Sequence, residues 1–410
     1  MEIENNIQEI EEAYITLPKG FKASGIHAGL KANGALDLAL VFSEYPCNVA
    51  GVYTSNIIKG HSLERSIEVI NAGNKIRGIV VNSRNANACV GKEGRTDAEN
   101  VANAVASELG VNADEILTAS TGTIGVRLPY EKIISNIPTL VKELSSSKES
   151  AHNSERAIMT TDTKPKEVSA KIVLHDNTEV AISAMAKGSG MIHPNLATMI
   201  SIFTTDADIP KDLLQKMLKN AVEHTFNRVT VDGDTSCCDM VTVFSNGASG
   251  AAIEEDSEDA VIFEEALTGL SEDLARMIAS DGEGATKFVE VEVFGARDAY
   301  DAKMIVSAVA KSPLCKTAFY GMDANFGRVI TAAGYSGAKF DPYKVDIDLG
   351  EMPVYRDGCA LVFDEDEALE ILKQHDLNIK IFLHEGDAYD RMFTCDFSHD
   401  YVTINGSYRT

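Results

Sequence analysis

A mixed α/β protein in two parts is what three features of this sequence predict. Residues 78–81 (GIVV) form a short apolar run of the kind that makes a buried strand. Residues 96–110 carry a helix signature: Thr96 can cap, Glu99 completes a capping box, Val101, Val105 and Leu109 share one face, and Gly110 stops the helix. Beyond Lys287 the pattern changes. Val289, Val291 and Val293 alternate with Glu290 and Glu292, as in a strand with one wet face, which puts a boundary near residue 288 and gives parts 1–288 and 289–410.

The remaining elements follow in order. Residues 1–140 alternate apolar runs with glycines and turns. Residues 144–156 (LSSSKESAHNSER) are polar and serine-rich, and predict a surface loop. Residues 170–186 and 199–206 read as strands flanking a glycine-rich turn. Residues 210–224 read as a helix with Pro210 in its first turn and Leu213, Leu214, Met217, Leu218, Ala221 and Val222 inward. The acid-rich residues 254–265 overlap a helical pattern of Val261, Leu267, Leu270, Leu274, Met277 and Ile278, so the acids should form its solvated face. After residue 288, a helix is expected near 301–310, strands near 343–348 and 378–384, a helix near 366–374, and a last pair of strands to the C-terminus.

Charge and composition narrow the function classes. The 410 residues contain 62 Asp and Glu against 37 Lys and Arg, a formal net charge of −25. With no excess of cations, nucleic acid and anionic membranes are poor partners, although one or two local cations can still hold a small anion. No run of 18 apolar residues exists, and the start MEIENNIQEIEEA carries acids where a secretory signal needs a basic start, so a cytoplasmic location is expected. The seven cysteines fit reduced thiols better than a disulfide framework, and no CxxC or HxxxH pair suggests zinc. No GxSxG elbow, phosphate-binding GxxxxGK[ST] loop or complete calcium loop is present.

Four local constellations could carry chemistry. In residues 187–199 (KGSGMIHPNLATM), a glycine-rich turn delivers the small Ala197 and then Thr198 ahead of the strand-like 199–206. A hydroxyl placed there can attack the preceding carbonyl and, after hydrolysis, leave a threonine with its own α-amine. That amine has a pKa of about 7.7–8.0 and can serve as base. The bland alternative is a Gly/Pro turn with a structural threonine. Residues 120–125 (STGTIG) can point backbone N–H groups at an oxyanion, or be a simple turn. Residues 231–239 (VDGDTSCCD) combine an Asx-type turn with adjacent cysteines, which are more often buried apolar groups than a redox pair. Asn405 to the end at Thr410 could be a frayed terminus or part of a site.

Taken together these segments resemble the ornithine acetyltransferase (glutamate N-acetyltransferase) family. The resemblance runs nearly end to end, through GFKASGIHAGLK at 20–31, NANACVGKEGRTDA at 85–98, STGTIG at 120–125, AIMTTDTKPK at 157–166, KGSGMIHPNLATM at 187–199, VDGDTS at 231–236, DGEGATK at 281–287, SPLCKTAFYGMDANFGR at 312–328 and CDFSHDYVTINGSYRT at 395–410. It implies two stacked β-sheets flanked by helices, plus a smaller C-terminal α/β domain. It implies self-cleavage between Ala197 and Thr198, Thr198 as nucleophile, Thr121 and Gly122 as oxyanion hole, and Thr161, Lys187, Thr198, Glu283, Asn405 and Thr410 as substrate contacts. The implied reaction moves an acetyl group from N2-acetylornithine to glutamate in arginine biosynthesis. The implied assembly is an α2β2 heterotetramer of cleaved chains. No metal or cofactor is implied, and acetyl-CoA enters only as an additional donor. A divergent relative acting on another N-acyl amino acid, or an amidase or aminopeptidase using the same threonine, stands as the alternative.

The sequence also departs from the family pattern. Arg84 replaces the usual glycine and Val90 the usual threonine of GNANACTG. Cys237 and Cys238 replace Thr and Asn of DGDTSTND, and His193 stands where a small residue is usual. A lone histidine is ordinarily structural or solvated. If these positions line the pocket, the donor or acceptor could differ.

Overall fold

The computed structural model describes residues 6–193 and 199–407. The chain opens with β1 (Ile7–Glu9), β2 (Phe21–Ile26) and β3 (Leu38–Tyr53). There follow α1 (His61–Asn71), β4 (Ile76–Asn82), α2 (Glu93–Leu109), β5 (Ile116–Ser120), α3 (Tyr130–Lys142) and α4 (Lys148–Ile158). The hairpin of β6 (Lys166–Val173) and β7 (Glu179–Lys187) precedes β8 (Ile200–Thr205), α5 (Lys211–His224), β9 (Met240–Ser245) and α6 (Glu258–Ser280).

Strand β3 divides this part into two layers. Its first half pairs with β2 and β4; the register breaks between Phe42 and Cys47; its second half, Asn48 to Tyr53, pairs with β9. One layer is therefore β2, β3, β4 and β5, and the other runs β1-β6-β7-β8-β9-β3. Side chains alternate across each strand, and the alternation sorts the cores. Leu38, Leu40 and Val80 pack against Val101 and Val105 of α2 and Ile133 and Ile137 of α3. Their neighbours Ala39, Val41, Ile79 and Val81 face the other way, onto Met185, Ile200, Ile202 and Met240 of the second layer. The far side of that layer, Ile182, Ala184, Phe203, Val241 and Val243, meets α5 and α6. The result is helix, sheet, sheet, helix, the stacked arrangement implied by the resemblance.

A separate six-stranded sheet begins at Phe288. It contains β10 (Phe288–Ala296), β11 (Asp346–Leu349), β12 (Met352–Arg356), β13 (Cys359–Ala360), β14 (Asp376–Phe382) and β15 (Ala388–Cys395), in the order β13-β12-β11-β14-β10-β15. Val289, Val291 and Val293 are fully buried on one face, as their alternation requires, against Ala302, Ile305 and Val309 of α7 (Ala299–Lys311). Helices α8 (Pro313–Tyr320), α9 (Phe326–Gly334), α10 (Glu365–Leu372) and α11 (His399–Ser407) complete the chain.

Several expectations change. Residues 148–158 are helix α4 rather than loop. Ser147 caps it by accepting the Ser150 N–H, and Ala151, Ala157 and Ile158 are buried beneath a polar composition. Helix α2 starts at Glu93, so Thr96 lies inside it and its side chain caps nothing, whereas Gly110 does end it in the left-handed conformation. Pro210 is the N-cap of α5 rather than a first-turn residue, and the six expected inward residues are all buried. In α6, Val261 and Met277 face solvent, while Phe263, Leu267, Leu270, Leu274 and Ile278 face inward. Residues 170–186 are parts of two antiparallel strands rather than one. A single strand, β15, precedes the C-terminus, followed by helix α11, none of whose residues is buried.

Helix α4 also buries a carboxyl group. Glu155 is fully enclosed; one oxygen accepts the Lys166 N–H at 3.1 Å, and the other has no partner among the described residues. Burial pushes its carboxyl up to about 8, with Glu167 and Asp162 pushing the same way against the Lys166 N–H. The unfolded chain therefore loses this proton near pH 4.5, while the folded chain keeps it until about pH 8. Stability falls across that window as pH rises. The Glu155→Gln variant should escape this penalty, gaining on the order of 3–4 kcal/mol over the parent between pH 5 and pH 8.5. Urea unfolding of both proteins at the two pH values measures it; an equal stability difference at both would reject the assignment.

Candidate active site

The ends of several elements meet at one cleft of about 650 Å³. Strand β5 delivers Thr121 and Gly122, strand β7 delivers Lys187, the turn after α6 delivers Glu283, and α11 delivers Tyr401 and Asn405. Thr160 and Thr161 come from the turn after α4, and Asp232, Asp234, Ser236, Cys237 and Cys238 from the segment before β9.

The turn at Gly122 is shaped by backbone crowding. The Thr121 N–H is spent on the Asn82 carbonyl at 3.0 Å, and the Thr123 N–H on the Arg84 carbonyl at 3.0 Å. Thr121 and Gly122 both line the cleft, and the Thr121 hydroxyl has no partner among the described residues. Gly122 has φ +129°, and a Cβ there would stand 2.3 Å from the Arg84 carbonyl carbon. Only glycine fits. The facing loop is itself strained: Arg84, Asn87 and Cys89 all have positive φ, of 78°, 49° and 58°. Arg84 thus occupies a left-handed position that suits the glycine usual in the family. Asn side chains hold the loop. The Asn82 amide bonds the Asn85 carbonyl at 2.9 Å, and the Asn87 amide bonds Gly94 O at 2.9 Å.

Lys187 is 2% exposed and is the only cation among the described residues lining the cleft. Burial pushes its ammonium below its ordinary value, helped by Lys166, while Asp162, Asp239 and Glu283 pull it back. Glu283 accepts a hydrogen bond from the Asn405 amide at 2.7 Å. Gly190 makes room for it, since a Cβ at 190 would lie 2.3 Å from the Glu283 carboxyl carbon. Strand pairing sets Ile200 opposite Lys187, so the start of β8 runs beside the lysine. There Asp239 accepts the Met199 N–H at 3.2 Å, and its other oxygen has no partner among the described residues. Burial pushes its carboxyl well above the usual range, against the pull of the Ser236 hydroxyl and Lys187.

A buried charge cluster lies beneath the cleft. Lys166 Nζ bridges Asp162 at 2.9 Å and Asp281 at 2.6 Å. Asp162 in turn accepts the Thr160 N–H at 2.9 Å and the Gly188 N–H at 2.6 Å. Ser189 donates to the Asp281 carbonyl at 2.7 Å, and the Glu283 N–H bonds the Ser189 carbonyl at 3.0 Å. Three turns carrying candidate contacts are therefore tied to one ammonium.

Of the residues singled out from sequence, Thr121, Gly122, Thr161, Lys187, Glu283 and Asn405 all line this cleft. Thr160 lines it too, so geometry does not choose between the adjacent threonines. Ala197, Thr198 and Thr410 lie outside the described residues. His193 is absent from the cleft lining; it bonds Thr230 at 3.2 Å, and burial beside Lys311 pushes its imidazole down to about 4, a structural histidine. Asp232 forms the expected Asx turn with the Asp234 N–H at 3.2 Å and also accepts the Met191 and Ile192 N–H groups, so it anchors the neighbouring turn. Burial pushes it up to about 6 against those bonds. Tyr401 was missed. Its spacing of four from Asn405 puts both on one helix face, a signal hidden by the expectation of a strand.

The sequence matches the ArgJ family across residues 22–410. The chain belongs to the ArgJ family. The arginine biosynthesis bifunctional protein ArgJ of Caldanaerobacter subterraneus subsp. tengcongensis is 45% identical over 98% of this chain and 100% of its own length. The ArgJ protein of Thermotoga neapolitana is 44% identical over 96% of this chain and all of its own. A crystal structure of argJ from Bacillus halodurans shares 42% identity, covers 50% of this chain and 97% of that one, and superposes with a TM-score of 0.48. No helix among the described residues of this ArgJ-family chain is long and apolar enough to cross a membrane.

Proposed function

We propose that this chain is a bifunctional acetyltransferase of arginine biosynthesis, moving the acetyl group of N2-acetylornithine to glutamate through an acetyl-threonine ester. Family membership supports the reaction class, and the convergence of Thr121, Gly122, Lys187, Glu283 and Asn405 on one cleft carries the assignment of roles. The same membership weighs against the amidase and aminopeptidase alternatives.

The first step is self-cleavage. The Thr198 hydroxyl attacks the Ala197 carbonyl, the peptide becomes an ester, and water releases a free α-amine on Thr198. Chains of 197 and 410 − 197 = 213 residues result and stay together, two of each forming the α2β2 assembly. The freed amine then takes the hydroxyl proton as Thr198 attacks the acetamide carbonyl of N-acetylornithine. The Thr121 hydroxyl and Gly122 N–H hold the oxyanion. The C–N bond breaks, the leaving nitrogen takes the proton, and ornithine departs. Glutamate attacks the ester through its amino group and leaves as N-acetylglutamate, restoring the hydroxyl. Lys187 pairs with the substrate α-carboxylate, Glu283, held by Asn405, takes an ammonium, and Thr161 and Thr410 close the pocket. This scheme needs no metal or redox cofactor, and acetyl-CoA would enter it only as a second donor.

The test joins denaturing electrophoresis to an acetyl-transfer assay of the purified protein with N-acetylornithine and glutamate. Two bands of near-equal size and transfer faster than hydrolysis are expected. The Thr198→Ala variant should remain one band and lose at least about 10⁴-fold in transfer. Normal cutting of that variant, or hydrolysis outrunning transfer in the parent, sinks the proposal.

A further inference from the structure

The two cysteines that depart from the family pattern sit in the wall of the cleft. Cys237 and Cys238 both line it together with Thr121 and Gly122, and their sulfurs are 3.5 Å apart. Each residue is at most 5% exposed, so the cleft is the route by which a small reagent reaches them. We propose that Cys237 and Cys238 are a peroxide-reactive dithiol that closes to a vicinal disulfide and distorts the wall of the cleft.

Local bonding supports division of labour between the thiols. The contact with Cys238 holds Cys237 below its ordinary value, and the same contact, together with burial, pushes Cys238 well above. Cys237 is assigned as the nucleophile, an assignment the Cys238→Ser variant tests. Its thiolate attacks one peroxide oxygen, the O–O bond breaks, and sulfenic acid and hydroxide form. The Cys238 sulfur then displaces the sulfenic oxygen as water, and the S–S bond closes. Two electrons pass from the dithiol to peroxide, and a dithiol reductant returns them.

Closing the bond moves the wall. The sulfurs must approach to about 2.05 Å, between adjacent residues whose Cα atoms are closer than in most disulfides, so the peptide must twist. Both ends are held: the Cys237 carbonyl accepts the Gly60 N–H at 2.8 Å, and the Cys238 sulfur lies 3.4 Å from the Ala86 carbonyl. Ala86 in turn donates its N–H to the Thr123 carbonyl at 3.0 Å, so the displacement reaches the turn that carries Gly122. A strained disulfide is also readily reduced, which makes the change reversible.

The experiment treats the whole protein with hydrogen peroxide, alkylates with N-ethylmaleimide, and maps the peptides by mass. The peptide carrying Cys237 and Cys238 should lose both alkylations and become two hydrogens lighter. Acetyl transfer should fall by at least about tenfold and return with dithiothreitol. In the Cys238→Ser variant, Cys237 should persist as a sulfenic acid trapped by dimedone. The proposal is overturned if the exposed Cys89 and Cys359 are consumed while the pair stays alkylatable, if the pair gains oxygens instead of losing hydrogens, or if the disulfide forms with transfer unchanged. The mass result does not depend on the proposed function; the loss of transfer does, and an inactive reduced protein would count against that function alone.

Discussion

Replacing Lys166 with methionine is expected to destabilise the fold by about 3–5 kcal/mol and to disable the cleft with it. The lysine side chain is 1% exposed, and its ammonium is shared between Asp162 and Asp281. Burial alone would push Asp162 up, yet Lys166, Lys187 and the Thr160 and Gly188 N–H groups hold it well below the usual carboxylate range. Burial likewise works against the Lys166 ammonium, and Asp162 and Asp281 outweigh it. Methionine matches the stem and removes the charge, so two enclosed carboxylates lose their shared counter-ion. Those carboxylates hold the turn from Thr160 to Lys164 and the Gly188 turn beside Lys187, and Asp281 itself opens the loop bearing Glu283, so KM for the amino-acid substrates should rise even where the variant stays folded. Adding Asp162→Asn to Lys166→Met should cost less than the sum of the two single changes, because one stranded charge is then gone. Thermal unfolding and steady-state kinetics of the three variants measure this. Strict additivity would show that the lysine and aspartate do not act as one unit.

This cluster marks where the sequence stops being legible. The helix ending at Gly110, the inward face of α5 and the alternating valines of β10 follow from local periodicity, because each needs only neighbours within one element. Lys166, Asp162 and Asp281 lie in recognisable motifs, yet nothing in spacing brings residue 281 to residue 166 across more than a hundred positions. The miss at residues 148–158 has a different cause. Helix α4 buries Ser154 and Glu155 along with its alanines, so its inward face is partly polar and its composition resembles a loop. At the C-terminus, residues 399–407 bury no side chain fully, and only Tyr401 and Ile404 are half-buried, so the hydrophobic period is weak; their helix is held by contacts such as Asn405 with Glu283 and the stacked rings of Phe397 and Tyr401, 4.7 Å apart. Candidate contacts at Thr121, Gly122, Lys187, Glu283 and Asn405 became legible through resemblance rather than periodicity. What the fold adds is the reason that five distant motifs serve one cavity.

The same geometry makes Gly122→Ala the most severe conservative change in the cleft. At φ +129° an L side chain is strained before any contact is considered, and the added carbon would meet Arg84 backbone atoms at 2.3, 2.6 and 2.7 Å. Backbone cannot swing aside as a flexible side chain can. Arg84 is itself held in a left-handed conformation and ties its carbonyl to the Thr123 N–H, so the loop and the turn have to part. That parting re-aims the Gly122 N–H, one of two proposed oxyanion donors. Losing one such donor costs about 10²–10³-fold in turnover. Because the proposed function gives ground-state binding to Lys187 and Glu283, kcat should fall by that factor with KM changed far less. The proposed self-cleavage passes through an oxyanion too, and its half-time should lengthen in step. A kcat within threefold of the parent, or slow transfer with normal cutting, would place the oxyanion donor elsewhere.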